Sequence, residues 1–267
     1  MPEYGENARL TYSEYLKVPE LLALQHEESD PPVHDELQFI VVHQVYELWF
    51  KQILHELDRL CVALEQGETH HALGTLKRVL TILKTLVGQI DILETMTPMS
   101  FTAFRARLDR ASGFESAQFR QIEFVLGHKR DAALRHYPEH SPEHALLEQR
   151  LEARSVWDSF LRYLDGQGFA VPREQLERDV RQAIEPSDAL QGVLLTVYRQ
   201  DALVSQLCER MVDLDEGLQE WRYRHVKMVE RTIGTKIGSG GSSGAEYLKQ
   251  TLFKPLFPDL WAIRMKL

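Results

Sequence analysis

The sequence has little cysteine and no long apolar run, and each scarcity argues against a class of protein. Its two cysteines, Cys61 and Cys208, lie far apart in the chain, which disfavours the disulfide framework of a small secreted protein. No apolar stretch approaches the roughly 20 residues that a membrane-spanning helix needs. The first residues, MPEYGENARLTY, lack the apolar core of a signal peptide. We therefore expect a cytoplasmic protein with no membrane contact.

Positive charge is also scarce. The chain has 31 lysines and arginines against 40 aspartates and glutamates, for a net charge of −9, and it has no long basic run. Nucleic acids and acidic membrane surfaces bind basic patches, so we expect neither as a partner. Hydrophobic residues make up 43% of the chain and charged residues 27%, which is normal for a folded globular protein.

Period-two alternation is absent over any length that could form a sheet, and steps of three and four residues dominate instead. Apolar stripes predict helices from Glu36 to about Leu64 and from Leu73 to Ile90. They also predict helices over residues 115–127, closed by Gly127, and over 147–164. The fold class is therefore predicted as all-α.

The longest helical pattern runs from Ser187, a plausible N-cap, to Ile233. A straight helix of this length would measure roughly 65–70 Å, so we expect a bend or a break within it. No repeat or compositional boundary divides the chain. The glycine–serine segment 238–244 is too short and too near the C-terminus to separate two domains. We predict one helical-bundle domain over residues 1–267.

His43 and His225 each lie on the apolar face of a predicted helix. A buried imidazole needs a hydrogen-bond partner or a metal, and an isolated one is more often a hydrogen-bonded core residue than a ligand. Both histidines, however, have aromatic neighbours at helical spacing. Two such helices could enclose a flat apolar cofactor such as haem, and because no Cys-x-x-Cys-His motif is present the haem would be held non-covalently.

Other polar motifs carry weaker signals. His136, His140 and His144 are spaced four apart, but Pro138 and Pro142 interrupt any helix that would align them as metal ligands. Non-haem iron bound by two histidines and a carboxylate is not excluded by spacing alone.

The segment 238–244 reads GSGGSSG and lacks the Gly-Lys-Ser/Thr ending of a phosphate-binding loop. It is either a surface turn or a lid over a polar substrate group. Arg105 lies among aromatic residues and is either solvated or paired with a carboxylate.

Four stretches together resemble the tryptophan 2,3-dioxygenase family. They are HDELQFIVVHQVYELWFK at 34–51, MTP at 96–98 with FR at 104–105, ASGFESAQFR at 111–120, and WRYRH at 221–225 followed by GSGGSSG at 238–244. They occur in the family's order and spacing, and the resemblance extends from about Tyr12 to Leu260.

The resemblance implies an enzyme that uses b-type haem and O₂ to cleave the indole C2–C3 bond of L-tryptophan, giving N-formyl-L-kynurenine. It implies His225 as the axial iron ligand and His43 as the distal catalytic residue that hydrogen-bonds the indole N–H. Ser112 and Gly113 would lie at the haem edge. The implied substrate contacts are Phe39, His43, Arg105 on the carboxylate, Ser239, and Tyr12 from a neighbouring subunit of a homotetramer whose N-terminal segments are exchanged.

Two positions depart from the family pattern. Ser239 stands where threonine is usual, and Phe101 stands where some members have a tyrosine that helps to hold the carboxylate. These departures leave open a relative that inserts one oxygen atom into a modified tryptophan or indole, giving an oxindole-type product in secondary metabolism. A haem sensor without turnover and a helical scaffold without a cofactor are further alternatives, although a sensor has no need for a clamp such as Arg105.

Overall fold

The computed structural model describes residues 10–108, 111–234, 236 and 245–267, and over these ranges every regular element is a helix. The all-α prediction is confirmed. In chain order the α-helices are α1 (Tyr12–Leu16), α2 (Val18–Leu21), α3 (His34–Glu65), α4 (Thr69–Leu93), α5 (Pro98–Arg105), α6 (Ala117–Val125), α7 (Pro142–Glu152), α8 (Val156–Gly166), α9 (Arg173–Leu176), α10 (Asp188–Gln200), α11 (Ala202–Ile233), α12 (Ala245–Lys249) and α13 (Pro258–Ala262). None of the described helices is long and apolar enough to cross a membrane. Both cysteines are free thiols.

Helices α3, α4 and α11 form the centre of the molecule, with α3 and α11 both packed along α4. Apolar side chains at three- and four-residue steps supply the contact, and Leu57, Leu60 and Leu76 have no solvent exposure at all. The Tyr46 hydroxyl of α3 donates a hydrogen bond of 2.6 Å to the Leu86 carbonyl oxygen of α4. This bond and the apolar seam fix the register of the two helices.

The helical pattern predicted from Ser187 to Ile233 is interrupted at Asp201, between α10 and α11. The break expected from the length of this pattern is therefore confirmed. Asp201 has extended backbone dihedrals, and its Oδ1 accepts hydrogen bonds of 2.9 Å from the backbone N–H groups of Leu203 and Val204. A side-chain oxygen in this position satisfies the free donors of a new helix. The break lets α11 run in its own direction for 32 residues.

The prediction of one helix over 147–164 is wrong, because the structure has two, α7 and α8, separated at Ala153–Ser155. Ser155 begins α8 with a capping box in which its hydroxyl and backbone N–H both bond Asp158. The Lys129 ammonium donates to the carbonyl oxygens of Leu151, at 2.9 Å, and Ala153. A lysine from a distant part of the chain therefore ends α7, and the apolar pattern alone does not reveal it.

The helix predicted over 115–127 is α6, preceded by a 3-10 turn at Gly113–Glu115. Ser116 caps α6 through a hydrogen bond from the Phe119 N–H at 3.1 Å. Gly127 closes it with φ of +96°, a conformation that other residues adopt only with strain. The turn and α6 form one wall of the cavity described next.

Candidate active site

A cavity of about 260 Å³ opens between α3, α5, α6 and α11. Its walls are mostly aromatic and aliphatic, and polar groups enter at a few points. Of the residues that the sequence predicts for the site, the cavity wall contains Phe39, His43, Arg105, Ser112, Gly113 and His225. One structural pocket thus collects residues that are up to almost 190 positions apart in the sequence.

His43 enters the cavity from α3 with one ring nitrogen already bonded. Its Nδ1 lies 2.7 Å from the carbonyl oxygen of Phe39, one turn earlier in the helix. A carbonyl oxygen only accepts, so Nδ1 carries the hydrogen and Nε2 of the neutral ring is a hydrogen-bond acceptor. Burial lowers the pKa of His43, which keeps the ring in this neutral form at pH 7.

His225 enters from α11 and makes no hydrogen bond with any residue in the described ranges. The indole of Trp221, one turn earlier, stacks on its ring with 5.2 Å between centroids and 4° between planes. Burial lowers the pKa of His225 to about 4. The ring is therefore neutral at pH 7, which is the protonation state that binds a metal ion.

The aromatic side chains form two sets around these histidines. The His43 set contains Phe39, Phe101 and Phe104, with 5.8 Å between the ring centroids of Phe39 and Phe101. The His225 set contains Trp221, Tyr46, Phe50 and Phe119. The cavity therefore has two aromatic compartments, each with one imidazole.

Arg105 is the last residue of α5, beside the His43 set, and it is half-buried at the cavity wall. Thr97 begins that helix by accepting a hydrogen bond of 3.1 Å from the Ser100 N–H. Ser112 and Gly113 line the cavity where the 3-10 turn starts, and Ser112 Oγ accepts a hydrogen bond of 3.3 Å from the Phe114 N–H. Arg105 and the turn at Ser112 are thus two of the points at which polar groups reach the cavity wall.

Two predicted residues are not among the described residues that line this cavity. Tyr12 is 78% exposed on α1 and is not part of the wall. Ser239, with the whole segment 238–244, lies outside the described residues. His136 and His144 belong to different helices, and the described residues contain no group of three or more histidine, cysteine or acidic side chains that could hold a metal ion.

Sequence reasoning missed a buried ionic cluster at the cavity wall. Glu123 of α6 is 2% exposed and is paired with Arg120, Arg130 and Arg222, whose Nη2 lies 3.0 Å from the Glu123 Oε1. The available signal was weak: Arg120 and Glu123 lie between the apolar residues Phe119 and Phe124, and Arg222 follows Trp221 directly.

The side chains of the cavity wall have the chemistry that a haem requires. The walls are apolar and aromatic, and His225 offers a neutral nitrogen that no described residue engages. The buried Nε1–H of Trp221 also lacks an acceptor among the described residues, as expected of a wall that faces a ligand. His43 differs, because its Nδ1 is committed to Phe39.

Fold and cavity together define the class: a helical protein whose cavity is lined by aromatic residues and by two inward histidines. The tryptophan 2,3-dioxygenase family matches residues 3–162 and 170–267, so the chain belongs to that family. A tryptophan 2,3-dioxygenase of Herpetosiphon aurantiacus is 63% identical over 258 residues, which cover 97% of this chain and 98% of that protein. One of Anaeromyxobacter sp. strain K is 60% identical over 260 residues, covering 97% of each. One of Bacillus thuringiensis subsp. konkukian is 41% identical over 268 residues, covering 99% and 95%.

The low pKa of His225 makes the stability of the haem-free protein depend on pH. The unfolded chain takes up a proton near pH 6.5, whereas the folded ring resists protonation until about pH 4. A histidine whose pKa is lowered by folding makes its full contribution to the stability of the folded protein above pH 6.5. That contribution is lost as the pH falls toward 4. As the pH falls from 6.5 to 5.5, protonation of this histidine in the unfolded chain should lower the free energy of unfolding by about 1 kcal/mol.

Urea denaturation of the haem-free protein at these two pH values measures the effect. His225→Leu should lose less stability than the wild type over this interval. His55→Leu is the matched control, because His55 is exposed on α3, and it should behave as the wild type does. Equal losses for all three proteins would contradict the prediction.

Proposed function

We propose that this chain uses haem b and O₂ to cleave the indole C2–C3 bond of L-tryptophan, giving N-formyl-L-kynurenine. The observation that carries the proposal is the joint presence, on one cavity, of two neutral histidines and Arg105. The activity printed in the names of the relatives supports it. In this proposal each of these residues has a separate role.

In this proposal His225 would hold the iron through one of its ring nitrogens, and Trp221 fixes the plane of the His225 ring by stacking. Ser112 and Gly113 would lie beside the cofactor, because a serine and a glycine leave room at the cavity wall. When bound, the haem supplies a ferrous iron that binds and activates O₂. The protein's own contribution is binding, orientation and exclusion of water.

The indole occupies the compartment of His43. The Nε2 of His43 accepts the indole N–H, because the Phe39 carbonyl holds the hydrogen of the ring on Nδ1. The Phe39 ring packs on the indole, and its centroid lies 4.0 Å from that of His43. Arg105 pairs with the substrate carboxylate through two parallel N–H groups. The family resemblance adds Ser239, which lies outside the described residues, as a further contact of the substrate.

Holding both ends of the substrate leaves one pose for the indole. Because binding already fixes the position and orientation of the indole, the reaction step does not have to lose that translational and rotational entropy again. The aromatic walls exclude water, which strengthens each polar contact. Because indole is electron-rich at C3, no essential general base is required, and His43 steers and modestly polarises the N–H.

The N-terminal segment supports a proposed homotetramer in which these segments are exchanged. It exposes a run of large apolar side chains: Leu10, Tyr12, Tyr15, Leu16, Leu21, Leu22 and Leu24. A contiguous apolar surface of this kind marks an interface. Tyr12 would then enter the cavity of a neighbouring copy. Sedimentation as a monomer at concentrations that support activity would exclude this assembly.

The mass of the product tests the proposed reaction. The reduced holoenzyme with L-tryptophan and ¹⁸O₂ should give a product that carries both labelled atoms. An anaerobic sample is the control. Incorporation of a single atom would instead indicate the alternative oxindole-type reaction, and no incorporation would remove the oxygenase proposal.

Replacing each histidine separately tests their roles. His225→Ala should lose the Soret band of the purified, haem-supplemented protein, because it removes the only proposed iron ligand. His43→Ala should keep that band and lose turnover. The reverse pattern of haem content would show that the two roles are exchanged.

Arg105→Leu should weaken the apparent affinity for L-tryptophan about 10- to 100-fold, the range expected for a charge-assisted hydrogen-bonded pair. Tryptamine lacks the carboxylate and should bind wild type and variant alike. Arg107→Leu is the matched control, because Arg107 is exposed two residues away. An unchanged affinity for tryptophan would refute the clamp.

A further inference from the structure

Three polar side chains of α11 bind the backbone of the chain that follows α12. Asp215, Gln219 and Arg222 are spaced four and three residues apart and therefore share one face of the helix. The backbone groups that they bind all lie in residues 250–257, the return segment, which joins α12 to α13 and belongs to neither helix. The Arg222 Nη1–H donates to the Thr251 carbonyl oxygen at 3.2 Å.

Gln219 makes two of these contacts. Its Oε1 accepts a hydrogen bond of 3.2 Å from the Phe253 N–H, and its Nε2 donates one of 2.6 Å to the Lys254 carbonyl oxygen. Asp215 continues the series, because its Oδ2 accepts a hydrogen bond of 2.7 Å from the Leu256 N–H. Later positions of the return segment thus bind earlier positions of α11, so the segment runs back along the helix.

Phe253 has a backbone conformation that needs such support. Its φ is +59°, in the left-handed region that costs a residue other than glycine free energy. Its side chain is 89% exposed, so packing of the ring does little to offset this strain. The two hydrogen bonds of Gln219 engage the backbone at Phe253 and at the next residue. We therefore expect Gln219 to hold the strained residue in place.

The start of the return segment reaches the cavity. Leu248 of α12 and Thr251 are both part of the cavity wall. One turn beyond Arg222, the same face of α11 contains His225 and Val226, which also line the cavity. The face that binds the return segment therefore continues into the face that presents His225, and Thr251 lies at the compartment of that histidine.

We propose that Gln219 is a positioning residue, which holds the return segment on α11 so that Leu248 and Thr251 keep their places in the cavity wall. The described residues that line the cavity do not include Gln219, so it acts through the backbone that it binds. This role is a property of the chain itself. Its effect on haem release rests on the proposed function, which places the macrocycle against His225.

Hydrogen exchange of the full-length protein, with and without haem and resolved by peptide mass, tests whether Gln219 holds the return segment. Gln219→Ala should speed exchange in that segment about 5- to 150-fold, because it removes two hydrogen bonds, and should leave α4 unchanged. Gln206→Ala is the matched control, because Gln206 is exposed on the same helix, and it should exchange as the wild type does. Unchanged exchange in the segment, or equal acceleration in all helices, would overturn the proposal.

The rate of haem release tests the link to the cavity wall. Haem-loaded wild type and variants are mixed with excess apomyoglobin, and absorbance gives the release rate without tryptophan or turnover. Gln219→Ala should release haem at least about 5-fold faster than the wild type, which corresponds to the loss of two weak hydrogen bonds. Gln206→Ala should keep the wild-type rate. An unchanged rate for Gln219→Ala would overturn the positioning role.

Substitutions of Phe253 test whether Gln219 acts through the strained backbone. Phe253→Gly removes the strain, because glycine adopts a positive φ freely, whereas Phe253→Ala removes the same exposed ring and keeps the strain. In the Gln219→Ala background, Phe253→Gly should release haem about 5-fold more slowly than Phe253→Ala. Equal rates would show that the backbone at Phe253 is not the route of the effect and would overturn the proposal.

The outcomes separate this inference from the proposed function. If the wild type binds no haem, the proposed function fails, and hydrogen exchange still decides whether Gln219 holds the return segment. If the wild type and Gln219→Ala bind haem and release it equally, the positioning role alone fails. If Gln219→Ala does not fold, Gln219→Glu replaces it in both measurements, because this change keeps an acceptor for the Phe253 N–H and removes the donor to Lys254.

Discussion

The packing of α3 and α11 along α4 is the constraint on which the site depends. Each of the two outer helices is 32 residues long and contributes one inward histidine. They do not need to touch over their whole length, because α4 holds both. A cavity can then open where their aromatic residues diverge, and the distance between His43 and His225 is set by apolar packing far from either ring. Substitutions among the apolar residues that pack α3 and α11 on α4 would therefore move the two histidines, although no residue of the site itself would be changed.

Burial in the cavity wall affects its histidines and its arginines differently. Burial keeps both imidazoles neutral, which leaves Nε2 of His43 as an acceptor and leaves the His225 ring free to bind a metal. Arginines cannot respond in this way, because a guanidinium remains charged in proteins. The three guanidinium groups that share the Glu123 carboxylate are therefore charged inside the protein.

Local sequence rules predict much of this structure and fail where distant residues intervene. Apolar steps locate α3, α4 and α6, and the length of the C-terminal pattern anticipates the break that Asp201 makes. The split between α7 and α8 depends on Lys129, which reaches carbonyl oxygens from outside the segment. The ionic cluster at Glu123 is equally non-local, since its members come from α6, α11 and the chain between them. Pairings of this kind are set by tertiary packing, and a single sequence contains no periodic signal for them.

The inward histidines show how far the site itself can be predicted. Periodicity alone places His43 and His225 on apolar faces but cannot show that they share one cavity, and the family resemblance supplies that expectation. The structure adds the difference between them, because only His43 has a backbone carbonyl one turn away as its partner. Of the two departures from the family pattern, Phe101 lies within the His43 set, and Ser239 lies outside the described residues. Phe101 packs on Phe39 and Phe104, so its ring has aromatic partners that do not depend on a hydroxyl. Among the described residues, the departure from the family pattern therefore lies beside His43 rather than beside His225.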